Sequence, residues 1–257
     1  MEFAARMRHN VGMKRLDYIR VVLMEPSHPG NIGACARAMA NMGLSRLTLV
    51  RPAEFPSAAA DARAAGADHI LKNATVTAGL DEALADCELV IGASARARTL
   101  AWPELPPPAA MRETLARKSP AALLFGRESS GLSNSELERC HYLVSIPTDP
   151  EFPSLNLAAA VLVLAYELRK AAGEEDGDDA EIKHNEEPRA AAKDMRAFYT
   201  HLEKLLELVE FGQDPGAEKL QRKLVRLFNR AQPYAREVRM LRGIFRAVEE
   251  KISGRKK

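Results

Sequence analysis

The sequence predicts an α/β domain built on a parallel sheet, followed by a small all-helical domain. Short apolar runs rich in β-branched residues recur as far as about residue 172, and alanine-rich stretches of helical length separate them. Strands that alternate with helices favour a parallel sheet covered on both faces. After residue 189 the composition changes, and apolar residues recur at the spacing of an α-helix to the end of the chain.

We assign residues 1–172 to the first domain. Residues 1–18 contain no apolar stretch of the signal-peptide kind, so we interpret them as an extended leader. The helix that begins near Ser154 is apolar nearly all round, which predicts that it is buried. The predicted strands are, in chain order, IRVVLM, LTLV, LVIGAS, AALLF and YLVSIP.

The rest of the chain is predicted to be a linker and a basic domain. Residues 173–189 are acidic and contain glycine, which predicts a flexible linker. Residues 190–257 predict three helices, the last starting near Pro233. From Lys219 to Lys257 there are thirteen lysines and arginines against three glutamates, although the net charge of the whole chain is only +2. This predicts an RNA-binding domain, and a solvated helix face is the alternative.

Composition excludes several other classes of protein. The three cysteines, Cys35, Cys87 and Cys140, form no C-x-x-C pair, which argues against a disulfide framework and favours a reducing cytoplasm. The longest apolar run, Leu157 to Tyr166, is too short to span a membrane. The six histidines are dispersed without metal-binding spacing, so we expect no metal site.

A glycine-containing loop follows the first predicted strand and leads into a helix that ends at Gly43. The start of such a helix can hold an anion, because its free backbone N–H groups point outward. The spacing Gly30-x-x-Gly33 differs from the G-x-G-x-x-G of dinucleotide-binding folds, so NAD fits poorly and NADP stays an alternative. Arg37 stands alone in this alanine-rich helix and calls for a functional explanation.

Two more loops follow predicted strands. In FGRESSGLSNSEL, which starts at Phe125, Ser133 and Glu136 have the spacing of a capping box. Glycines in this loop let the backbone turn sharply or approach a ligand closely. In the other loop, Ser154 and Asn156 precede the apolar helix, where a polar side chain either caps the helix or has another hydrogen-bonding task.

Together and in this order, the three loops resemble the three motifs of the SpoU (TrmH) branch of the SPOUT RNA methyltransferases. The segment from Gly92 to Pro103 and the helical tail resemble one tRNA-modifying group within that branch, and the similarity covers roughly residues 19–252. The matching residues are Asn31, Gly33 and Arg37 in the first motif, Phe125, Gly126, Glu128 and Gly131 in the second, and Ile146, Pro147, Ser154, Leu155 and Asn156 in the third.

The resemblance implies a fold and an activity. The C-terminal part of the sheet domain would thread into a trefoil knot, a topology that is otherwise very rare. The enzyme would be a cytoplasmic homodimer with its active site built across the two subunits. It would transfer a methyl group from S-adenosylmethionine to the ribose 2′-hydroxyl of cytidine, uridine or both at nucleotide 32 of tRNA. Another tRNA nucleotide, or an rRNA nucleotide, is the alternative substrate.

The resemblance also implies roles for individual residues. Arg37 would be the central catalytic residue, either as the base or as a clamp on the substrate phosphate. Arginine stays protonated at neutral pH, which favours the clamp. Asn31 and Glu128 would hold Arg37 and shape the RNA pocket, which Ser154 and Asn156 would line. S-adenosylmethionine would contact Ala93, Ser94, Ala95, Gly126, Ile146, Ser154 and Leu155.

Two other classes of function compete with this one. A noncatalytic RNA-binding module could share the fold, but the intact motif residues argue against it. An NADP-dependent oxidoreductase could share the sheet, but the glycine spacing argues against that. Arg96 and Arg98 are further candidates for RNA contact, with plain surface charge as the alternative.

Overall fold

The computed structural model describes residues 16–94, 102–174, 188–211 and 217–254. The chain divides into two compact units, Met1–His184 and Asn185–Lys257, and each is described by itself below.

The described part of the first unit contains seven strands in one sheet. They are β1 (Ile19–Met24), β2 (Arg46–Val50), β3 (Thr75–Thr77), β4 (Leu89–Ala93), β5 (Glu104–Leu105), β6 (Ala121–Phe125) and β7 (Tyr142–Val144). Their order is β3-β2-β1-β6-β4-β7-β5, and every neighbouring pair is parallel. Val21, Val22 and Leu23 are all buried, so both faces of the sheet are covered, as predicted.

The helices described in this unit are α1 (Pro29–Met42), α2 (Ala58–Ala64), α3 (Asp68–Lys72), α4 (Leu80–Ala83), α5 (Pro107–Ala116), α6 (Asn134–Leu137) and α7 (Leu157–Glu174). Helix α1 packs against α2 and α7, and α7 also packs against α5. Gly43 ends α1 with a φ of 79°, the left-handed conformation predicted for this position. None of the described helices is both long and apolar enough to cross a membrane.

The carboxyl ends of the central strands form one edge of the sheet. Leu23 in β1 pairs with Phe125 in β6, and Phe125 also pairs with Ala93 in β4. Ala93 in turn pairs with Val144 in β7. Four loops of distant sequence therefore leave the sheet side by side. Chain order reverses direction near β1, and such a switch point in a parallel sheet is where ligands bind.

The boundaries differ from the prediction in three places. The edge strands β3 and β5 were not predicted, because three and two residues are too few to show an alternating pattern. Strand β7 ends at Val144, three residues before the end of the predicted run YLVSIP, where its short partner β5 also ends. The loop before α1 was predicted to extend from Glu25 to Asn31, but the helix already begins at Pro29, so Gly30 and Asn31 lie in its first turn.

The prediction that α7 is buried all round is wrong on one face. Leu162 is 38% exposed and Tyr166 is 54% exposed, whereas Val161, Leu164 and Leu168 are buried. The buried side packs against α1 and α5, and no described element covers the other side. The trefoil knot implied by the resemblance stays a prediction.

The described second unit contains α8 (Ala192–Leu208), α9 (Ala217–Ala231) and α10 (Ala235–Ile252), close to the three predicted helices. Phe198 is fully buried at its centre and stacks on Phe245 with ring centroids 5.5 Å apart. Ile244 and Ile252 recur at helical spacing with the other apolar residues of α10, but both are about half exposed. Residues 175–187 of the predicted linker lie outside the described residues.

Candidate active site

The loop after β1 is fixed where it enters α1. His28 precedes the helix in an extended conformation, and its Nδ1 accepts a hydrogen bond of 3.1 Å from the Gly30 backbone N–H. Pro29 occupies the first helical position, where its fixed φ suits the helix and its missing N–H costs nothing. The local sequence thus places the Asn31 side chain in the first turn, at the carboxyl edge of the sheet.

Asn31 is joined to the loop after β6. Its Nδ2 donates a hydrogen bond of 3.1 Å to Oε1 of Glu128. The other carboxylate oxygen of Glu128 accepts from both the backbone N–H and the hydroxyl of Ser27, each at 3.1 Å. Partial burial opposes ionisation of Glu128, but the hydrogen bonds from Asn31 and Ser27 outweigh it and lower the pKa of the carboxyl. Glu128 therefore acts as an ionised acceptor between two loops.

The third motif joins the same chain of hydrogen bonds. Asn156 donates from Nδ2 to Oδ1 of Asn31 at 3.4 Å. Its own Oδ1 accepts a hydrogen bond of 2.9 Å from the Ala158 backbone N–H, so Asn156 also caps α7. Ser27, Glu128, Asn31 and Asn156 therefore form one polar chain that connects the three predicted motifs. We refer to these four residues as the polar chain.

Ser154 does not take part in this chain. The sequence allowed it to cap the apolar helix, but α7 begins at Leu157 and the cap is Asn156. Ser154 is exposed and makes no hydrogen bond with another described residue. The structure thus joins three of the five predicted catalytic residues, Asn31, Glu128 and Asn156, and leaves the task of Ser154 undefined.

Arg37 lies further along α1 and is exposed between the buried residues Ala36 and Ala38. Asn31 and Glu128 were expected to hold it, but they bind each other, and Arg37 makes no hydrogen bond with any described residue. The physical reason is helix geometry. Six residues rotate the side chain by about 240° and advance it by roughly 9 Å, so Asn31 and Arg37 leave α1 on different sides.

The predicted cofactor residues Ala93, Ser94 and Gly126 meet at the carboxyl edge, where β4 lies between β6 and β7. The Ser94 backbone N–H donates to the Val144 carbonyl at 3.1 Å, which joins the ends of β4 and β7. A Cβ at Gly126 would stand 2.1 Å from the Gly131 carbonyl carbon, so only glycine allows this loop to close on itself.

The other described residues predicted to bind the cofactor lie in the segment between β7 and α7. Ile146 follows β7 by two residues and is partly buried, while Ser154 and the 40% exposed Leu155 precede α7. Ala95, Arg96 and Arg98 lie outside the described residues. The small or apolar side chains and free strand ends at this edge suit a ligand that is held largely by backbone groups.

A cluster of charged residues beside the polar chain was missed by the sequence analysis. Glu25, directly after β1, accepts a hydrogen bond of 2.5 Å from Nε of Arg127, two residues after β6. It also forms an ion pair with Arg51, directly after β2. The Arg127 guanidinium makes the largest contribution and the Arg51 guanidinium the next, and together they lower the pKa of Glu25 to about 2. Glu25 and Arg51 both have left-handed backbone conformations, with φ of 41° and 45°.

Arg127 extends this cluster to α6. Its two terminal nitrogens donate to the two carboxylate oxygens of Glu136 at 3.1 and 3.0 Å, a bidentate arrangement. Glu136 also completes the predicted capping box, because it accepts at 2.7 Å from the Ser133 backbone N–H. The sequence could have revealed this cluster through the positions of its members. Glu25, Arg51 and Arg127 each follow a predicted strand, and the carboxyl ends of parallel strands meet at one edge of the sheet.

These contacts define what the site can do. The ionised carboxylate of Glu128 and the side-chain amides of Asn31 and Asn156 form a fixed polar surface. The exposed guanidinium of Arg37, on the same helix as Asn31, is open to an anionic group. Within the described ranges, no group of three or more His, Cys, Asp or Glu side chains could hold a metal ion. The three cysteines are buried and unpaired, and burial raises the pKa of each thiol, so they are not nucleophiles.

Two family models match the chain. The SpoU rRNA Methylase family matches residues 18–166, which is more than half of the sequence. The C-terminal domain of tRNA methyltransferase TrmJ matches residues 193–257. The first match contains all three motifs, and the second contains the basic helical unit.

Curated relatives and solved structures extend over both units. The tRNA (cytidine/uridine-2′-O-)-methyltransferase TrmJ of Escherichia coli K12 is 46% identical over 245 residues, covering 94% of this chain and 99% of the relative. The enzyme of the same name from Salmonella typhimurium is 47% identical over 244 residues, covering 93% and 100%. The crystal structure of TrmJ from Z. mobilis ZM4 has a TM-score of 0.79 at 33% identity, covering 90% of this chain and 98% of that one.

Proposed function

The chain belongs to the SpoU methylase family, and on that premise we propose that it is a tRNA ribose 2′-O-methyltransferase dependent on S-adenosylmethionine. The single observation that supports this best is the polar chain, in which Glu128, Asn31 and Asn156 link all three motifs at one edge of the sheet. The TrmJ relatives methylate cytidine and uridine, and we propose the ribose of nucleotide 32 in the anticodon loop as the target.

The chain would hold S-adenosylmethionine at the ends of β4, β6 and β7 through Ala93, Ser94, Gly126 and Ile146. Leu155 and Ser154 would complete this site, as would Ala95, which lies outside the described residues. When bound, this cofactor supplies a methyl group already activated on a sulfonium. The protein therefore needs no covalent intermediate. Its main task is to align the ribose hydroxyl with the methyl group, and such alignment lowers the activation barrier by several kcal/mol.

Arg37 would grip the phosphate next to the target ribose. Its guanidinium is exposed and has no partner among the described residues, so it can donate two parallel hydrogen bonds to phosphate oxygens without first breaking an ion pair. The hydroxyl proton would then pass to that phosphate. In the alternative mechanism Arg37 itself takes the proton, which requires a neutral guanidine and is costly at neutral pH.

The polar chain would fix the loops rather than hold Arg37. Glu128 accepts three hydrogen bonds from Ser27 and Asn31, so the loops after β1 and β6 cannot move independently. Asn156 extends the connection to the start of α7. A ribose placed between these loops would thus meet pre-oriented groups, which is how preorganised sites lower a barrier.

We also propose that the enzyme works as a homodimer. Leu162 and Tyr166 lie four residues apart and are exposed on one face of α7, and Leu155 and Phe152 in the segment before this helix are 40% and 81% exposed. Large apolar side chains exposed together mark interaction sites. Size measurement by light scattering should show a dimer that Tyr166→Arg dissociates and Tyr18→Arg leaves intact. A monomeric wild-type protein would contradict this assignment.

The basic helical unit would bind tRNA. Deletion of the residues after Gly173 should weaken tRNA affinity while S-adenosylmethionine binding, followed by calorimetry, is retained. Unchanged tRNA affinity would exclude this role. The buried, unpaired cysteines are consistent with the cytoplasm, where we place the reaction.

Methyl transfer from tritiated S-adenosylmethionine to tRNA transcripts tests the function directly. Label should appear on transcripts with cytidine or uridine at nucleotide 32 and disappear when that ribose is 2′-deoxy. Because the SpoU rRNA Methylase family is named for rRNA, ribosomal RNA serves as the competing substrate in this assay. Label on rRNA alone, or on the 2′-deoxy transcript, would refute the proposed target. Binding of NADPH instead of S-adenosylmethionine would refute the reaction class.

A further inference from the structure

A cleft of about 680 Å³ lies within the second unit, between one face of α8 and one face of α10. We propose that this cleft is a binding site for phosphates of the RNA backbone, an assignment that rests on the proposed tRNA substrate. Its lining residues are Lys193, Arg196, Ala197, Thr200, His201, Lys204, Arg242, Arg246 and Glu249.

The sequence places these residues on matching faces. The residues from α8 stand at positions 193, 196, 197, 200, 201 and 204, and those from α10 at 242, 246 and 249, a spacing that puts side chains on one side of each helix. Phe198 and Phe245 of the same two helices are buried in the core of this unit, with their rings stacked. The ring of His201 rests edge-on against Phe245 with centroids 5.4 Å apart, so the walls of the cleft are held by the core.

The charge of the lining is strongly positive. Five lysines and arginines line the cleft against one carboxylate, Glu249. That carboxylate lies 3.2 Å from Nε2 of His201, so it already has a partner within the cleft. Among the described residues, no carboxylate forms an ion pair with Lys193, Lys204 or Arg246. Their combined field attracts an anion.

Arg242 provides a second and independent observation. Its Nε is buried and has no hydrogen-bond partner in the described structure. A buried donor without a partner is unfavourable, and proteins rarely keep one unless something else satisfies it. A phosphate oxygen in the cleft is an acceptor of the right charge for a guanidinium.

The lining favours backbone phosphate over a free nucleotide. It contains no Phe, Tyr or Trp on which a base could stack, and it contains several long cationic side chains. Contacts to phosphates fix the position of a protein on RNA without reading its sequence. The cleft would therefore set tRNA affinity and orientation, while the choice of nucleotide would be made elsewhere.

The test compares two double variants of the full chain with a matched control. Arg242→Gln with Arg246→Gln removes the charges of α10, and Lys193→Gln with Lys204→Gln removes two exposed charges of α8. The control is Lys251→Gln, because nine residues place Lys251 about 180° from Arg242 around the same helix. Affinity for a tRNA transcript is measured across a salt series, and thermal unfolding verifies that each variant folds.

Each phosphate contact raises the affinity about fivefold near 0.15 M salt. It also adds close to one unit to the slope of the logarithm of the affinity against the logarithm of the salt concentration. Each double variant should therefore bind tRNA roughly tenfold to thirtyfold more weakly, with a slope smaller by about two, whereas Lys251→Gln should match the wild type. Wild-type affinity in both folded double variants would overturn the proposal. So would cleft-dependent binding of ATP without a change in tRNA binding.

The measurement separates this inference from the proposed function. If the wild-type chain methylates tRNA and the variants keep the wild-type KM for tRNA, the cleft assignment alone is wrong. If the wild-type chain neither methylates nor binds tRNA, the proposed function is wrong and this inference is wrong with it. The expected pattern is a raised KM for tRNA with unchanged kcat and unchanged binding of S-adenosylmethionine.

Discussion

Asn31 and Glu128 are 97 positions apart in the chain, yet the Asn31 side chain donates a hydrogen bond of 3.1 Å to the Glu128 carboxylate. This contact joins the first turn of α1 to the loop after β6, and the strands that precede these two segments, β1 and β6, are neighbours in the sheet. Because Glu128 is ionised, the bond is charge-assisted and stronger than one between neutral groups.

Asn31→Asp should impair methyl transfer far more than it impairs folding. The change removes the donor and places two carboxylates about 3 Å apart, where they repel each other. Loss of a hydrogen bond to a charged group corresponds to about 1.5 to 3 kcal/mol, or roughly tenfold to hundredfold in kcat/KM. Steady-state kinetics with tRNA measures the effect.

The matched control for this variant is Asn73→Asp. Asn73 is exposed, and its side chain donates at 2.8 Å to the His69 carbonyl, with no carboxylate in the contact. Activity should stay near the wild-type level there. Equal losses in the two variants would show that the Asn31–Glu128 bond has no special part in the reaction.

Arg37→Ala should lower kcat by at least about a hundredfold, the usual effect of removing a group that stabilises charge in the transition state. Its melting temperature should stay close to that of the wild type, because an exposed side chain with no partner among the described residues contributes about 0.5 kcal/mol or less to stability. Arg46→Ala is the control, since Arg46 is exposed at the start of β2, on the opposite edge of the sheet. Near-normal turnover of Arg37→Ala would remove this residue from the mechanism.

The Glu25 cluster should make the first unit sensitive to acid. Arg127 and Arg51 lower the pKa of Glu25 from its ordinary 4.5 to about 2, so the unfolded chain binds a proton in this range more readily than the folded one. The stabilisation is present above pH 4.5 and is lost as the pH falls toward 2. We expect about 1 to 2 kcal/mol, because partial exposure screens the pairs.

Denaturant unfolding of the wild type and Glu25→Gln at several pH values measures this contribution. The variant should be less stable at neutral pH, and the difference should shrink below pH 4.5. A cycle with Arg127→Gln isolates the pair, since both single changes and the double change are then compared. If the difference between wild type and Glu25→Gln is the same at pH 7 and pH 3, the ion pairs do not stabilise the fold.

Gly33 and Gly243 should respond in opposite directions to replacement by alanine. A Cβ at Gly33 would stand 2.0 Å from the Ala60 carbonyl oxygen, so Gly33→Ala should force α1 and α2 apart at a cost of about 1 to 3 kcal/mol. A Cβ at Gly243 meets nothing within 4 Å, so Gly243→Ala should stabilise α10 by about 0.5 to 1 kcal/mol. Thermal unfolding measures both. Equal stability of the two variants would show that Gly33 is not needed for helix packing.

The contact between Gly33 and Ala60 was not predictable from the first motif. The first motif predicts a glycine near an anion site, but the structure uses Gly33 for the close approach of two helices. A motif records which residue type is needed at a position and not what surrounds it. In the same way, the sequence suggested that the helix begins near Ser154, with Ser154 as a possible cap, but the helix start at Leu157 makes Asn156 the cap of α7.

Local patterns were sufficient for five of the seven described strands, most helix positions and the capping box of Ser133 and Glu136, because these depend on nearby residues and their periodicity. They could not show that Glu25 pairs with Arg127, that Arg37 lies apart from Glu128, or that α8 and α10 enclose a basic cleft. Those relationships arise when distant segments pack together. Strand order and helix rotation set the distances between such segments, and neither is encoded in the spacing of residues along a single element.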